Sequence, residues 1–305
     1  MNDFGFEKGT RPDWVPAPLA EPSEHVPSHD PAFQFEARTT KAILAGFAFN
    51  HRVLIQGLHG SGKSSHVEQV AARLNWPLMR VNLDSHVSRL DLIGKDAIVL
   101  QDGQQVTAFQ EGILPWAMQR PMALLLDEYD AGRPDVLFVI QRLLEAEGKL
   151  TLADQNRVID PHPQFRLFAT CNTLGLGDET GLYAGTQVLN QAQLDRWTTV
   201  CRLDFMAEAS EVRLLLEKTP GLDPDLATQM VRFAAMTRSS FRVGDLSILM
   251  SPRGLLHWAQ GVAIFGGAFA SVEYAFLNRL NADERGLAEE MLQAVGLMKQ
   301  ERPEP

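Results

Sequence analysis

The stretch VLIQGLHGSGKSSHVEQV, Val53 to Val70, sets an apolar run against a glycine-rich turn that leads into a lysine, two serines and helical spacing. Gly57, Gly60 and Gly62 leave the turn free to adopt positive φ and to bring its N–H groups close to a ligand. A helix opening near Lys63 adds the positive end of its dipole and its unpaired N–H donors. Lys63 reaches back towards outer phosphates, and the Ser64 hydroxyl suits a Mg²⁺ ligand. Gly57-x4-Gly62-Lys63-Ser64 is the P-loop spacing, placed after a strand and before a helix as that loop requires. Gly57, Leu58, His59, Gly60, Ser61, Gly62, Lys63, Ser64 and Ser65 are therefore expected to hold ATP with Mg²⁺. The competing explanation is a chance glycine turn, which the flanking strand and helix disfavour.

The rest of the chain supplies the sheet that such a loop needs. A helix pattern from Thr39 leads into a strand at 52–56, a helix near 63–74 and a short strand in PLMRVNL. DAIVL and QVTAF flank Gln101-Asp102-Gly103-Gln104, and an Asp-Gly pair signals a hairpin, giving an insert near 95–110. Two buried strand patterns follow, in MALLLDEYD and FRLFATCN, with a helix before each. Strands alternating with helices predict a parallel sheet covered on both faces. Beyond about Met206 only helical spacing remains. Residues 1–36 are rich in Pro, Glu, Asp and His and are predicted to be extended or partly disordered. The expected division is thus a Pro-rich extension at 1–36, an α/β domain at 37–205 and a helical domain at 206–305.

Leu124-Leu125-Leu126-Asp127-Glu128 reads as a buried strand ending in two carboxylates. At the carboxyl edge of a parallel sheet they would face the P-loop. Asp127 would then steady the Mg²⁺ water shell with Ser64, and Glu128 would polarise a water for attack on the γ-phosphate. Asn172 ends the next strand, where its amide either holds that water or the γ-phosphate, or merely forms a turn. Arg196 follows a helix in NQAQLDRW, and Arg253 lies just inside one in SPRGLLHW, after a proline in its first turn. Each arginine is a candidate for phosphate contact or a surface ion pair.

These motifs, in this order, resemble those of AAA+ ATPases over roughly residues 37–300. The resemblance implies a P-loop AAA+ parallel sheet followed by a smaller helical lid domain. It makes 57–64 the Walker A segment, 123–128 the Walker B segment, Asn172 sensor 1, Arg196 the arginine finger and Arg253 sensor 2. The hairpin insert after DLIGKD and the segment GLYAGTQVLNQAQLDRW are similar to the MoxR branch. Tyr129-Asp130 departs from that branch, which more usually has Ile-Asn after the carboxylates. The stretch from His25 to Val99, with DEYDAGRPDVLFVIQRLLEAEGKLTL and MSPRGLLHWAQ, further resembles the small AAA+ subunits of aerobic, ATP-dependent cobaltochelatases. That resemblance implies an ATP-driven ring, a hexamer, working with a von Willebrand A domain subunit. The ring would drive a large corrin-binding subunit that inserts Co²⁺ into hydrogenobyrinic acid a,c-diamide in cobalamin biosynthesis. A MoxR-type remodelling ATPase acting on another metalloenzyme or von Willebrand A client is the alternative.

Charge and composition narrow the partners. A formal net charge of −10 argues against wrapping a nucleic-acid backbone, and no basic-aromatic stretch suggests one. No apolar run is long enough to span a membrane, so no nucleic-acid or membrane partner is expected. Cys171 and Cys201, without CxxC spacing, read as reduced core thiols of a cytosolic protein. Despite the implied link to cobalt, His25, His29, His59, His66 and His86 show no convergent ligand set, and solvated or core-edge roles are expected for them.

Overall fold

The computed structural model describes residues 4–7, 10–21, 23–101, 103–145, 147–173 and 186–297. Asp102 at the hairpin tip and residues 181–185 of the GLYAGTQVLNQAQLDRW segment lie outside them. The chain divides into two compact units. One comprises residues 1–30, 35–58 and 62–203, the other 31–34, 59–61 and 204–305.

The first unit opens with α1 (Ala37–Phe49), whose N-terminus is capped by the Glu36 carboxylate accepting from the N–H groups of Arg38 and Thr39. β1 (Val53–Gln56) leads through the glycine-rich turn to α2 (Lys63–Arg73), then β2 (Leu78–Asn82). The short helix α3 (Arg89–Ile93) starts in a capping box between Ser88 and Asp91. β3 (Gly94–Gln101) and β4 (Gln104–Glu111) form the insert hairpin, antiparallel from Gly94 opposite Glu111 to Gln101 opposite Gln104. Gly103 at its turn has φ +79°, the left-handed conformation that an Asp-Gly turn anticipates. Then come α4 (Ile113–Met118), β5 (Ala123–Asp127) and α5 (Pro134–Leu144), the last with proline at its first position. β6 (Leu150–Leu152) and β7 (Arg157–Ile159) make a small hairpin absent from the sequence reading. Strands of three residues carry too little alternation to be seen. β8 (Arg166–Cys171), α6 (Gln191–Leu194) and β9 (Thr199–Arg202) complete the unit.

Five parallel strands form the central sheet in the order β2-β5-β8-β1-β9. Alternate residues feed two cores, because successive side chains of a strand point to opposite faces. Leu54, Leu124, Leu126 and Leu167 pack with Val136, Leu137, Ile140 and Leu143 of α5 on one face. Val53, Ile55, Leu125 and Phe168 pack with Ile43, Leu44 and Phe47 of α1 and Val67 and Val70 of α2 on the other. Both faces are covered by helices, so the fold is the expected doubly covered parallel sheet.

The N-terminal extension behaves differently from a detached tail. Its described residues form no helix or strand, yet Phe4 and Phe6 are buried in the core shared with α1 and α2. The Leu19 N–H donates to the Leu74 carbonyl, and the Leu78 N–H donates to the His25 carbonyl. Prolines spaced through the segment exclude regular structure but not packing, and Phe4 and Phe6, with Trp14, Val15 and Leu19 packed against the same core, anchor it.

The second unit is helical: α7 (Glu208–Lys218), α8 (Pro224–Val243), α9 (Pro252–Phe265), α10 (Ala268–Ala275) and α11 (Ala282–Ala294). Its core gathers Leu215, Met230, Phe233, Trp258, Phe276 and Leu292. One long stretch of helical spacing is broken between α9 and α10, where Gly266 and Gly267 take φ of +78° and +142°. A buried, two-pronged ion pair between Arg238 and Glu211, both bonds 2.8 Å, ties α8 to α7.

Candidate functional site

Parallel strands put their carboxyl ends at one edge, and there β1, β5 and β8 deliver Gly57, Glu128 and Asn172 side by side. Gly57 does not use the freedom for positive φ that the three glycines give the turn. Its N–H donates to the Cys171 carbonyl at 3.2 Å, which continues the strand pairing by one step. Gly60 and Gly62 alone supply the positive φ, +75° and +90°. A Cβ on Gly62 would meet nothing within 4 Å, so the backbone there presents an open face. Gly62 is also the N-cap of α2 and offers no side chain to its first N–H groups. Those donors are the groups that phosphate oxygens satisfy. The residues present fit a nucleotide. Leu58 lends its carbonyl to Lys63, while His59 and Ser65 have exposed side chains.

Lys63 is buried at 7% exposure, and its ammonium donates to the carbonyls of Gly57 (2.8 Å) and Leu58 (3.0 Å) and to Asn172 Oδ1 (2.9 Å). Burial pulls its pKa below the usual lysine value, against the opposing pull of Cys171, Asp127, Asp130 and Glu128. Ser64 Oγ donates to Asp127 Oδ1 at 2.7 Å. That hydroxyl and carboxylate are hard oxygen donors of the kind that Mg²⁺ takes. Thr170 Oγ1 also donates to Asp127 Oδ1, and Arg80 from β2 pairs with Oδ2. Burial raises the Asp127 pKa, but the bonds from Thr170 and Ser64 and the Arg80 charge outweigh it and leave the carboxyl below its ordinary range. Asp127 is thus held ionised.

Glu128 sits in the left-handed region, φ 56° and ψ 45°, at the start of a single 3₁₀ turn, Tyr129–Ala131. Its N–H donates to Thr170 Oγ1 at 3.2 Å, and its side chain is exposed. The turn aims Glu128 out of the strand while Tyr129 and Asp130 go inward and are fully buried. Arg196 is half-buried against its own unit: Nη1 donates to the Ala192 carbonyl, and Nε lies 3.9 Å from a Glu145 oxygen. With its amide oxygen turned to the guanidinium, Gln141 accepts from it at 3.0 Å. Arg253 belongs to the helical unit, one residue after Pro252, on a helix that Ser251 caps by accepting from the Gly254 N–H. Its side chain is exposed.

Sequence reasoning missed Thr170, Arg80 and the bonds that Asp130 Oδ2 accepts from the Asn172 and Thr173 N–H groups. Thr170 could have been found two residues before Asn172, on the strand face opposite Cys171 and Ala169. Arg80 has no motif, and only the pairing of β2 with β5 brings it to Asp127. His66 is buried, with Nε2 2.8 Å from Thr40 Oγ1. Burial pulls its pKa down to about 4. Among the described residues no group of three or more His, Cys, Asp and Glu side chains could hold a metal ion. None of the described helices is long and apolar enough to cross a membrane. Cys171 and Cys201 are both free thiols, and burial pushes Cys201 up to about 12.

The family described as AAA domain (dynein-related subfamily) matches residues 52–187, and the family CbbQ/NirQ/NorQ C-terminal matches residues 211–297. The aerobic cobaltochelatase subunit CobS of Sinorhizobium sp is 55% identical over 299 residues, covering 96% of this chain and 89% of that one. Midasin of Dictyostelium discoideum is 33% identical over 181 residues, which cover 59% of this chain and 3% of that protein. Among solved structures, a mutant of RuvB from Thermotoga maritima aligns with a TM-score of 0.52 at 14% identity, over 86% of this chain and 71% of that one, a likeness of fold. Similarity that runs nearly end to end in both chains, over a P-loop site built as above, makes this protein a member of the CobS family of AAA ATPase subunits.

Proposed function

We propose that the chain is the ATP-hydrolysing motor subunit of an aerobic cobaltochelatase, driving Co²⁺ insertion into hydrogenobyrinic acid a,c-diamide. The observation that carries the ATPase part is the joined cluster Lys63–Asn172 and Ser64–Asp127–Thr170 at one sheet edge. Similarity to a cobaltochelatase subunit carries the rest. In this reading the N–H groups of the loop 57–65 and the Lys63 ammonium hold the β- and γ-phosphates. Ser64 and Asp127 would hold Mg²⁺, which when bound would neutralise charge on the phosphate oxygens. Glu128 takes the proton of the attacking water, and Asn172 orients that water or the γ-phosphate.

Arg196 is the group offered to a neighbouring subunit's nucleotide in a homo-oligomeric ring, a hexamer, and Arg253 the lid residue that senses the γ-phosphate. A von Willebrand A domain subunit and a large corrin-binding subunit are the proposed partners. The match of the helical unit to the CbbQ/NirQ/NorQ family favours a second reading, a MoxR-type remodelling ATPase that activates another metalloenzyme. Reconstitution separates the two. The chain is mixed with the two candidate subunits, Co²⁺ and the corrin, and insertion is followed by absorbance with and without ATP. Insertion that needs this chain and ATP, and is lost with Lys63→Ala, supports the motor role. Equal insertion without the chain rejects it.

A further inference from the structure

Asp130 is a buried carboxylate that the chemistry above does not use. Its Oδ2 accepts three hydrogen bonds, from the Asn172 N–H (3.0 Å), the Thr173 N–H (2.8 Å) and Thr173 Oγ1 (2.8 Å). Its backbone carbonyl accepts from the Gln187 N–H at 2.8 Å. Oδ1 is buried without a hydrogen bond. Two residues earlier the chain carries Glu128, and the intervening turn is short and tightly bonded, with the Ala131 N–H donating to the Glu128 carbonyl at 2.8 Å. On the far side the Asn172 amide oxygen accepts from Lys63. A single bonded path therefore runs from Glu128 through Asp130 and Asn172 to Lys63.

We propose that Asp130 is a positioning residue, which fixes the Asn172 amide relative to Glu128 and Lys63 so that all three address one phosphate. Burying a carboxylate is unfavourable unless donors surround it, and a leucine would fill the same space without desolvating a charge. What the position uses is therefore its acceptor. Because all three donors converge on Oδ2, a single carbonyl oxygen can replace it, and asparagine provides one. The proposal rests on the ATPase reading given above.

The test measures kcat and KM for ATP, binding of a fluorescent ADP analogue and the thermal midpoint. Asp130→Leu is expected to lower kcat about 10–100-fold with KM and ADP affinity within about threefold of the parent. Asp130→Asn should stay within about threefold of the parent in kcat, KM and ADP affinity, with any fall in thermal midpoint coming from its Nδ2, buried where Oδ1 has no partner. In an Asn172→Ala background, Asp130→Leu should cost little more, because both changes act through the same amide. A purely structural role would instead give additive losses, with ADP affinity and thermal midpoint falling together. Full turnover by a folded Asp130→Leu protein, additive losses, or an asparagine variant as defective as the leucine one would each overturn the proposal. Should the leucine variant fail to fold, Thr173→Val removes one donor of the three. A several-fold fall in kcat at constant KM then supports the role, and unchanged kcat overturns it. Glu128→Gln runs alongside: retained turnover there would sink the ATPase assignment itself, whereas its loss beside an active Asp130→Leu sinks only the positioning role.

Discussion

Three acceptors hold the Lys63 ammonium, so its position is set by the protein itself rather than by its own flexible stem. Lys63→Ala removes the point charge of the loop. Charge-assisted bonds worth ~1.5–3 kcal/mol translate into ATP affinity weaker by about 10–100-fold. Glu128→Gln leaves that charge in place but cannot take a proton, and turnover should fall about 10²–10⁴-fold at near-normal affinity. Nucleotide titration and phosphate release on both variants check this. Tight binding with full turnover in Lys63→Ala would remove the assignment. His66 gives a pH prediction with a definite sign. Its pKa falls from 6.5 to about 4 on folding because burial disfavours the charged ring. Below the unfolded value, protons bind the unfolded chain first, so the His66 contribution is whole above about 6.5 and drains as pH falls to about 4. His66→Gln keeps a hydrogen-bonding group that does not titrate. Its thermal midpoint should fall less than the parent's across that window, and parallel curves would contradict the argument.

At the scale of elements, Gly57, Glu128 and Asn172 each sit just past the end of a strand, and the turn that follows decides their direction. The left-handed Glu128 is the sharpest case, exposing its carboxylate while its neighbours turn inward. The β3–β4 hairpin stands apart from the central sheet and pairs only with itself among the described residues. Ile98 and Leu100 are 73% and 76% exposed near its tip, an apolar surface that the nucleotide site does not need. Replacing both with serine should leave basal ATPase within about twofold, since surface changes rarely alter stability by more than ~0.5 kcal/mol. ATP-dependent cobalt insertion in the reconstituted complex should fall at least about tenfold if this surface meets the partners. Insertion at the full rate would mean that force leaves through another surface. The hairpin and its Gly103 turn were legible in the sequence because Asp-Gly between apolar runs has one common solution. The hairpin of β6 and β7 was not, since short strands owe their pairing to tertiary neighbours.

For the molecule as a whole, the decisive expectation is assembly. If Arg196 serves a neighbour's nucleotide, specific ATPase activity should rise with protein concentration as rings form. Mixing Arg196→Ala with Lys63→Ala subunits should recover part of the activity, because some interfaces then join an intact pocket to an intact arginine. Activity independent of concentration in a protein shown to be monomeric would reject a shared site. The order of motifs, the doubly covered sheet and the helical second unit were all readable from sequence, because they rest on local chemistry. Glycine at positive φ, strand alternation and helical spacing each depend on residues near one another in the chain. Other features needed the fold. Arg80 reaches Asp127 only because β2 pairs with β5. Asp130 reaches Asn172 and Thr173 across 42 and 43 residues of chain. Phe4 and Phe6 fasten a Pro-rich extension that composition alone describes as loose. The physical reason is the same in each case. A pattern in sequence records what a residue does to its own backbone, whereas the partner of a buried charge or ring is set by which strands lie side by side.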